Sequence, residues 1–87
     1  MKTLTLTLKK EFFDQIYKKE KTVEYRECKP YWKKRLVDKN YTHILFRNGY
    51  SLGVAELKIE YLGYIIDQEC YCLLLGDIIS SNNCEEI

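Results

Sequence analysis

Residues 3–8 read Thr-Leu-Thr-Leu-Thr-Leu, a strict two-residue alternation that only an extended segment turns into one apolar and one polar face. Leu4, Leu6 and Leu8 share one side and Thr3, Thr5 and Thr7 the other, which predicts a half-buried strand. The period then changes. From Lys9 to Lys19, Phe12, Phe13, Ile16 and Tyr17 recur at three- and four-residue spacings, so the chain is expected to turn helical and put this aromatic stripe into the core. Glu11 and Asp14 lie early and Lys18 and Lys19 late, the polarity a helix dipole favours, although no clear N-cap residue precedes them.

The remaining elements follow the same logic. Thr22 to Arg26 reads as a strand with Val23 and Tyr25 expected in the core and Thr22, Glu24 and Arg26 on a common outer surface. Pro30 suits the first turn of a helix reaching Leu36 or Val37, on which Trp32 and Leu36 share a face and are read as core. Tyr41 to Arg47 carries apolar residues on both faces, which suggests a central strand or one under the second helix, and Asn48-Gly49 then signals a turn continued by Tyr50 to Gly53. Val54 to Gly63 predicts a fourth strand with Ala55, Leu57, Ile59 and Tyr61 inward; Cys70 to Ile79 predicts a fifth, with Gly76 at a bulge or bend. Ser80 to Ile87 is polar and reads as a frayed tail.

Strand, helix, strand, helix and three strands make a small α+β domain, expected as a mostly antiparallel five-stranded curved sheet or open β-barrel with two short helices. A chain of 87 residues supports one such domain, ordered over about residues 3–79, and 46% hydrophobic with 31% charged content excludes disorder as the ground state. No apolar run approaches the ~20 residues of a membrane span and no signal segment opens the chain, so a cytoplasmic protein with no membrane association is expected. Cys28, Cys70, Cys72 and Cys84 are then reduced thiols. Cys70 and Cys72 lack the two-residue spacer of a zinc knuckle and His43 is the only histidine, so neither a metal nor another cofactor is expected.

Charge is divided unevenly. Residues 1–35 carry a formal +6 and residues 36–87 carry −5, against +1 for the whole chain. The basic half culminates in Lys21 to Arg35, which holds six basic residues and three large aromatics in fifteen positions. Cations interleaved with rings are what a single-stranded nucleic acid needs, phosphates meeting the former and bases stacking on the latter. The candidate binding residues are Lys21, Thr22, Glu24, Arg26, Lys29, Tyr31, Lys33, Lys34 and Arg35, joined by Arg47, Asn48 and Tyr50 from the later turn. Lys21 and Arg26 would hold a phosphate while Glu24 accepts from a base amino group. The bland alternative is a surface ion network worth at most ~1 kcal/mol per pair. If the domain is an enzyme, Lys21 and Glu24 are the general acid/base candidates, because no Ser/His/Asp set or phosphate-cradling glycine loop can be assembled.

The run Lys19-Glu20-Lys21-Thr22-Val23-Glu24-Tyr25-Arg26, then Lys29-Pro30-Tyr31-Trp32, Phe46-Arg47-Asn48-Gly49-Tyr50 and Glu60-Tyr61-Leu62-Gly63, resembles the ASCH domain family of the PUA-like superfamily. Lys21, Glu24 and Arg26 match its motif Gly-x-Lys-x-x-Glu-x-Arg, with Lys19 standing where the family usually has Gly. The resemblance implies a small β-barrel with a cleft beside the motif strand that binds RNA or a nucleobase. Some relatives are similar to enzymes: a branch that deacetylates N4-acetylcytidine uses a Thr where this chain has Glu24, and others are described as ribonucleases.

Three readings follow. The first is a domain binding RNA, single-stranded nucleic acid or a modified nucleoside. The second is a small hydrolase using Lys21 and Glu24 on RNA or an acylated nucleoside. The third is a protein-interaction or inhibitor module that docks its basic turn on the acidic protein of a nucleic-acid machine.

Overall fold

The computed structural model describes residues 2–84 and has seven elements: β1 (Thr3–Thr7), α1 (Lys10–Tyr17), β2 (Val23–Glu27), α2 (Pro30–Leu36), β3 (His43–Arg47), β4 (Glu56–Asp67) and β5 (Cys70–Asn82). The strands form one sheet in the order β1-β3-β4-β5-β2, with β1 parallel to β3 and every other pair antiparallel. The sheet curls strongly into a half-barrel, giving the α+β domain that the element order predicts. β3 is central, as its two apolar faces require.

The core is the concave side. Leu4, Leu6 and Leu8 meet Ile44 and Phe46 of β3, Leu57 and Ile59 of β4, and Tyr71, Leu73 and Leu75 of β5; Phe13 and Ile16 of α1 and Leu36 of α2 join the same cluster. Trp32 is only partly buried against it, a rim position rather than the interior one its spacing with Leu36 suggests. Phe12 also leaves the core stripe and remains 37% exposed.

Two boundaries move outward from the sequence reading. β4 begins at Glu56 and continues past Gly63 to Asp67; β5 runs on through Asn82, so Ser80 to Asn82 are strand, and residues 85–87 of the expected tail lie outside the described residues. A two-residue hairpin makes the extension possible. Gln68 and Glu69 have φ of 49° and 61°, positive at both central positions as a right-twisted hairpin demands, yet neither residue type announces it. Register shifts between Ile59 and Tyr61 and between Tyr61 and Tyr64 bend the ladder, one of them where Gly76 was expected to mark a bulge. Above Gly76, the Glu60 carboxyl occupies the space that a Cβ would fill.

Because β1 and β2 are the two edges of the sheet, the curl brings them toward each other without pairing them. The helices fill part of the gap. What remains open is a seam between the first and the third elements of the chain.

Candidate functional site

The helix-to-strand junction sets the site. α1 closes with the N–H of Lys19 on the Ile16 carbonyl (3.0 Å) and that of Glu20 on the Gln15 carbonyl (2.8 Å), the paired bonds of a left-handed helix end. Lys19 has φ of 62°, the conformation for which glycine is the usual choice. The turn throws Lys21 across the start of β2. There its ammonium lies 3.1 Å from Glu24 Oε1, while Arg26 Nη1 donates to Glu24 Oε2 from the other side and to the Tyr25 carbonyl at 2.9 Å.

Glu24 is the one buried polar or charged residue found among those described, 4% exposed, and it faces the barrel interior rather than the outer surface expected for it. The strand is therefore reversed. Tyr25, expected in the core, is 55% exposed, and Val23 is half-buried on the same outward side. The physical reason is that β2 is an edge strand beside an open seam. An isolated buried carboxylate is prohibitively costly, but one with a cation on each oxygen at the rim of the interior is not, and the Lys21 and Arg26 side chains keep 19% and 17% exposure.

Thr7, Leu8 and Lys9 from the end of β1, Phe12 from α1, and Lys21, Glu24, Tyr25 and Arg26 line an open groove of about 390 Å³ along this seam. The Lys21 ammonium stands 4.9 Å from the Phe12 ring centre and 5.4 Å from that of Tyr25. These contacts hold the cation in place while leaving ring surface free. Thr22, beside Lys21, lines two neighbouring depressions instead. Thr7, Leu8, Lys9 and Phe12 carried no site signal in the sequence. Their place in the groove comes from the strand order, which only long-range pairing reveals.

Rings and guanidinium groups continue from the groove onto α2. Arg26 lies 5.2 Å from the Trp32 ring centre, Arg35 lies 5.3 Å from the Trp32 ring centre and 5.6 Å from that of Tyr31, and Arg35 Nη1 donates to the Tyr31 hydroxyl at 3.0 Å. Arg35 Nη2 also reaches the Thr5 carbonyl at 3.3 Å, tying α2 to the β1 edge. Lys33 and Lys34 are exposed on the same short helix, and Lys29 pairs loosely with Glu27 at 3.7 Å.

The later turn is built differently. Arg47 donates to Glu56 Oε2 at 2.7 Å and to the Ser51 carbonyl at 2.9 Å, so its charge is spent on closing the 48–55 loop. The Asn48 N–H is on the Ala55 carbonyl and Tyr50 projects almost fully into solvent. None of the three lines the groove. His43 Nδ1 lies 2.8 Å from the Thr42 hydroxyl and outside the groove as well. Among the described residues, no three His, Cys, Asp or Glu side chains gather to hold a metal ion, and the four cysteines are free. Among the described residues no helix is long and apolar enough to cross a membrane.

No family model, curated protein or solved structure matches the chain. The class of protein is thus defined by the fold and the seam alone: a half-barrel with an ion-paired interior carboxylate opening onto an aromatic, cationic groove.

Proposed function

We propose that this domain, of the ASCH type that its motif resembles, binds single-stranded RNA or a related nucleic acid by taking a base into the seam groove. The observation that carries the reading is Glu24: a buried carboxylate held on both oxygens by Lys21 and Arg26, at the floor of an open groove rimmed by the exposed rings of Phe12 and Tyr25. A base offers a flat face for such rings, worth ~1 to 3 kcal/mol per base, and polar edge groups for the ions beneath. Lys9 at the groove mouth and Lys33, Lys34 and Arg35 on α2 supply positive charge on either side, where the phosphates of a strand would run.

The test is a titration of the purified domain with fluorescent single-stranded RNA and DNA at two salt concentrations. Wild-type affinity is expected to fall with salt, Lys21→Ala and Arg26→Ala to weaken binding, and Lys33→Ala and Lys34→Ala to reduce the salt slope by about one unit each. Affinity unchanged in both Lys21→Ala and Arg26→Ala would remove the groove from the function. Turnover of RNA or of an acylated nucleoside by the wild type would point instead to a hydrolase.

A further inference from the structure

The order of hydrogen-bonding groups on the groove floor is more specific than its charge. Lys21 stands on Oε1 of Glu24 and Arg26 on Oε2, so the carboxylate is bracketed by a donor at each end. Each cation is fixed laterally. Lys21 is held against Phe12 and Tyr25, and Arg26 against Trp32 and the Tyr25 carbonyl. Along the groove floor the order is therefore a donor-bearing cation, an acceptor carboxylate and a second donor-bearing cation, in contact with one another before any ligand arrives.

We infer that the groove selects an imide edge, the acceptor–donor–acceptor face of uracil and thymine, with the ring N3–H on Glu24 and the flanking carbonyl oxygens toward Lys21 and Arg26. This rests on the base-binding reading above and narrows it. Cytosine presents a donor followed by two acceptors and would bring its unprotonated N3 against a carboxylate. Adenine brings its bare N1 to the same place. Guanine places one carbonyl and two adjacent donors there, so its amino group meets one of the cations. Burial sharpens the discrimination, because a carboxylate that is 4% exposed cannot turn to solvent when the ligand fails to donate to it. The two cations leave the unit formed by Lys21, Glu24 and Arg26 with a net charge of +1, which suits a neutral imide attached to a phosphate.

The experiment is calorimetric titration of the full chain with uridine 5′-monophosphate, its N3-methyl derivative and cytidine 5′-monophosphate. Uridine monophosphate is expected to bind about tenfold or more tighter than either of the others, the scale of one well-formed base contact. Equal affinity for the N3-methyl compound, or a preference for cytidine, overturns the imide assignment while leaving a base-binding groove in place. Binding by none of the three, together with no binding of oligonucleotides, overturns both. In Glu24→Gln the amide replaces one acceptor with a donor, so the uridine-to-cytidine ratio is expected to fall at least several-fold; an unchanged ratio in a folded variant counts against the assignment. The ligand panel on the wild type stands independently of that variant's folding.

Discussion

Glu24 stands directly opposite Leu73 across the β2–β5 ladder, a carboxylate sharing the inward face with a fully buried leucine. The pairing forces charge to the wall of the core, and Lys21 and Arg26 answer it at the seam. Removing the carboxylate alone strands two cations that are mostly out of water. Glu24→Ala is expected to lower unfolding free energy by about 2 to 3 kcal/mol, somewhat below the cost of breaking a fully buried pair because both cations reach solvent. A urea unfolding curve measures it, and a loss under ~0.5 kcal/mol would mean the network is no more than surface decoration.

The same network can be replaced as a unit. Lys21→Met, Glu24→Leu and Arg26→Met together convert the inner face of β2 to apolar packing, and the triple variant is expected to be at least as stable as the wild type. It should bind no nucleic acid. A stable variant without binding assigns these residues to function rather than to holding the fold, whereas collapse in urea would assign them to the fold.

Lys19 occupies a left-handed position that a side chain tolerates at a cost of about 1 kcal/mol. Lys19→Gly is expected to raise stability by roughly 0.5 to 1 kcal/mol, after subtracting the extra freedom glycine has in the unfolded chain. Lys19→Ala should give no such gain. Equal effects from Gly and Ala would show that lost charge, not backbone conformation, governs the site.

The β4–β5 hairpin turns on Gln68-Glu69 with both residues at positive φ. Replacing the pair with Asn-Gly, the sequence that adopts this turn most readily, is expected to add about 1 kcal/mol and to raise the thermal midpoint by several degrees. An unchanged midpoint would place the hairpin outside the cooperative unit.

The Tyr61 hydroxyl is buried with no hydrogen-bond partner among the described residues, and desolvation, followed by the neighbouring Tyr64 and Tyr41, pushes its pKa up to about 12. A phenol ordinarily titrates near 10, so between roughly pH 10 and 12 the unfolded chain has released a proton that the folded chain retains. The stability due to this shift is complete below pH 10 and is lost as pH rises through 12. Tyr61→Phe is expected to flatten the decline of the unfolding midpoint across that interval and to cost little at neutral pH, since the hydroxyl has no bond to lose. An equally steep alkaline decline in the variant would assign it to other groups.

How much of this was legible beforehand differs from strand to strand. The alternation of Thr3 to Leu8 gave β1 its buried face correctly, because an aliphatic row beside a threonine row leaves no rival orientation. Thr22 to Arg26 shows an equally regular alternation, yet the face it marks for burial is the one the structure turns outward. Its two faces hold Val and Tyr against Glu and Arg, and hydropathy alone favours burying the former; only the long-range pairing that makes β2 an edge lets the charged face turn inward. The hairpin at Gln68-Glu69 was silent for a local reason, since neither residue prefers positive φ and the twist of the surrounding strands imposes it. Within the site, Lys21, Glu24 and Arg26 were legible as a group from their spacing. Thr7 to Lys9 and Phe12 were not, because they meet that group only across the seam. Arg47, Asn48 and Tyr50 have similar chemistry but do not line the groove, Arg47 having a nearer acid in Glu56.

The strand order also sets a timetable. Every side chain of the groove is contributed by residues 7–26, yet β2 finds its ladder partner only in β5, the last strand of the chain. As synthesis proceeds from the N-terminus, residues 7–26 leave the ribosome before residues 70–82, on which the wall carrying Glu24 depends. A nascent chain thus displays its basic segment before the groove has formed, and the wall carrying Glu24 is complete only when β5 closes the sheet.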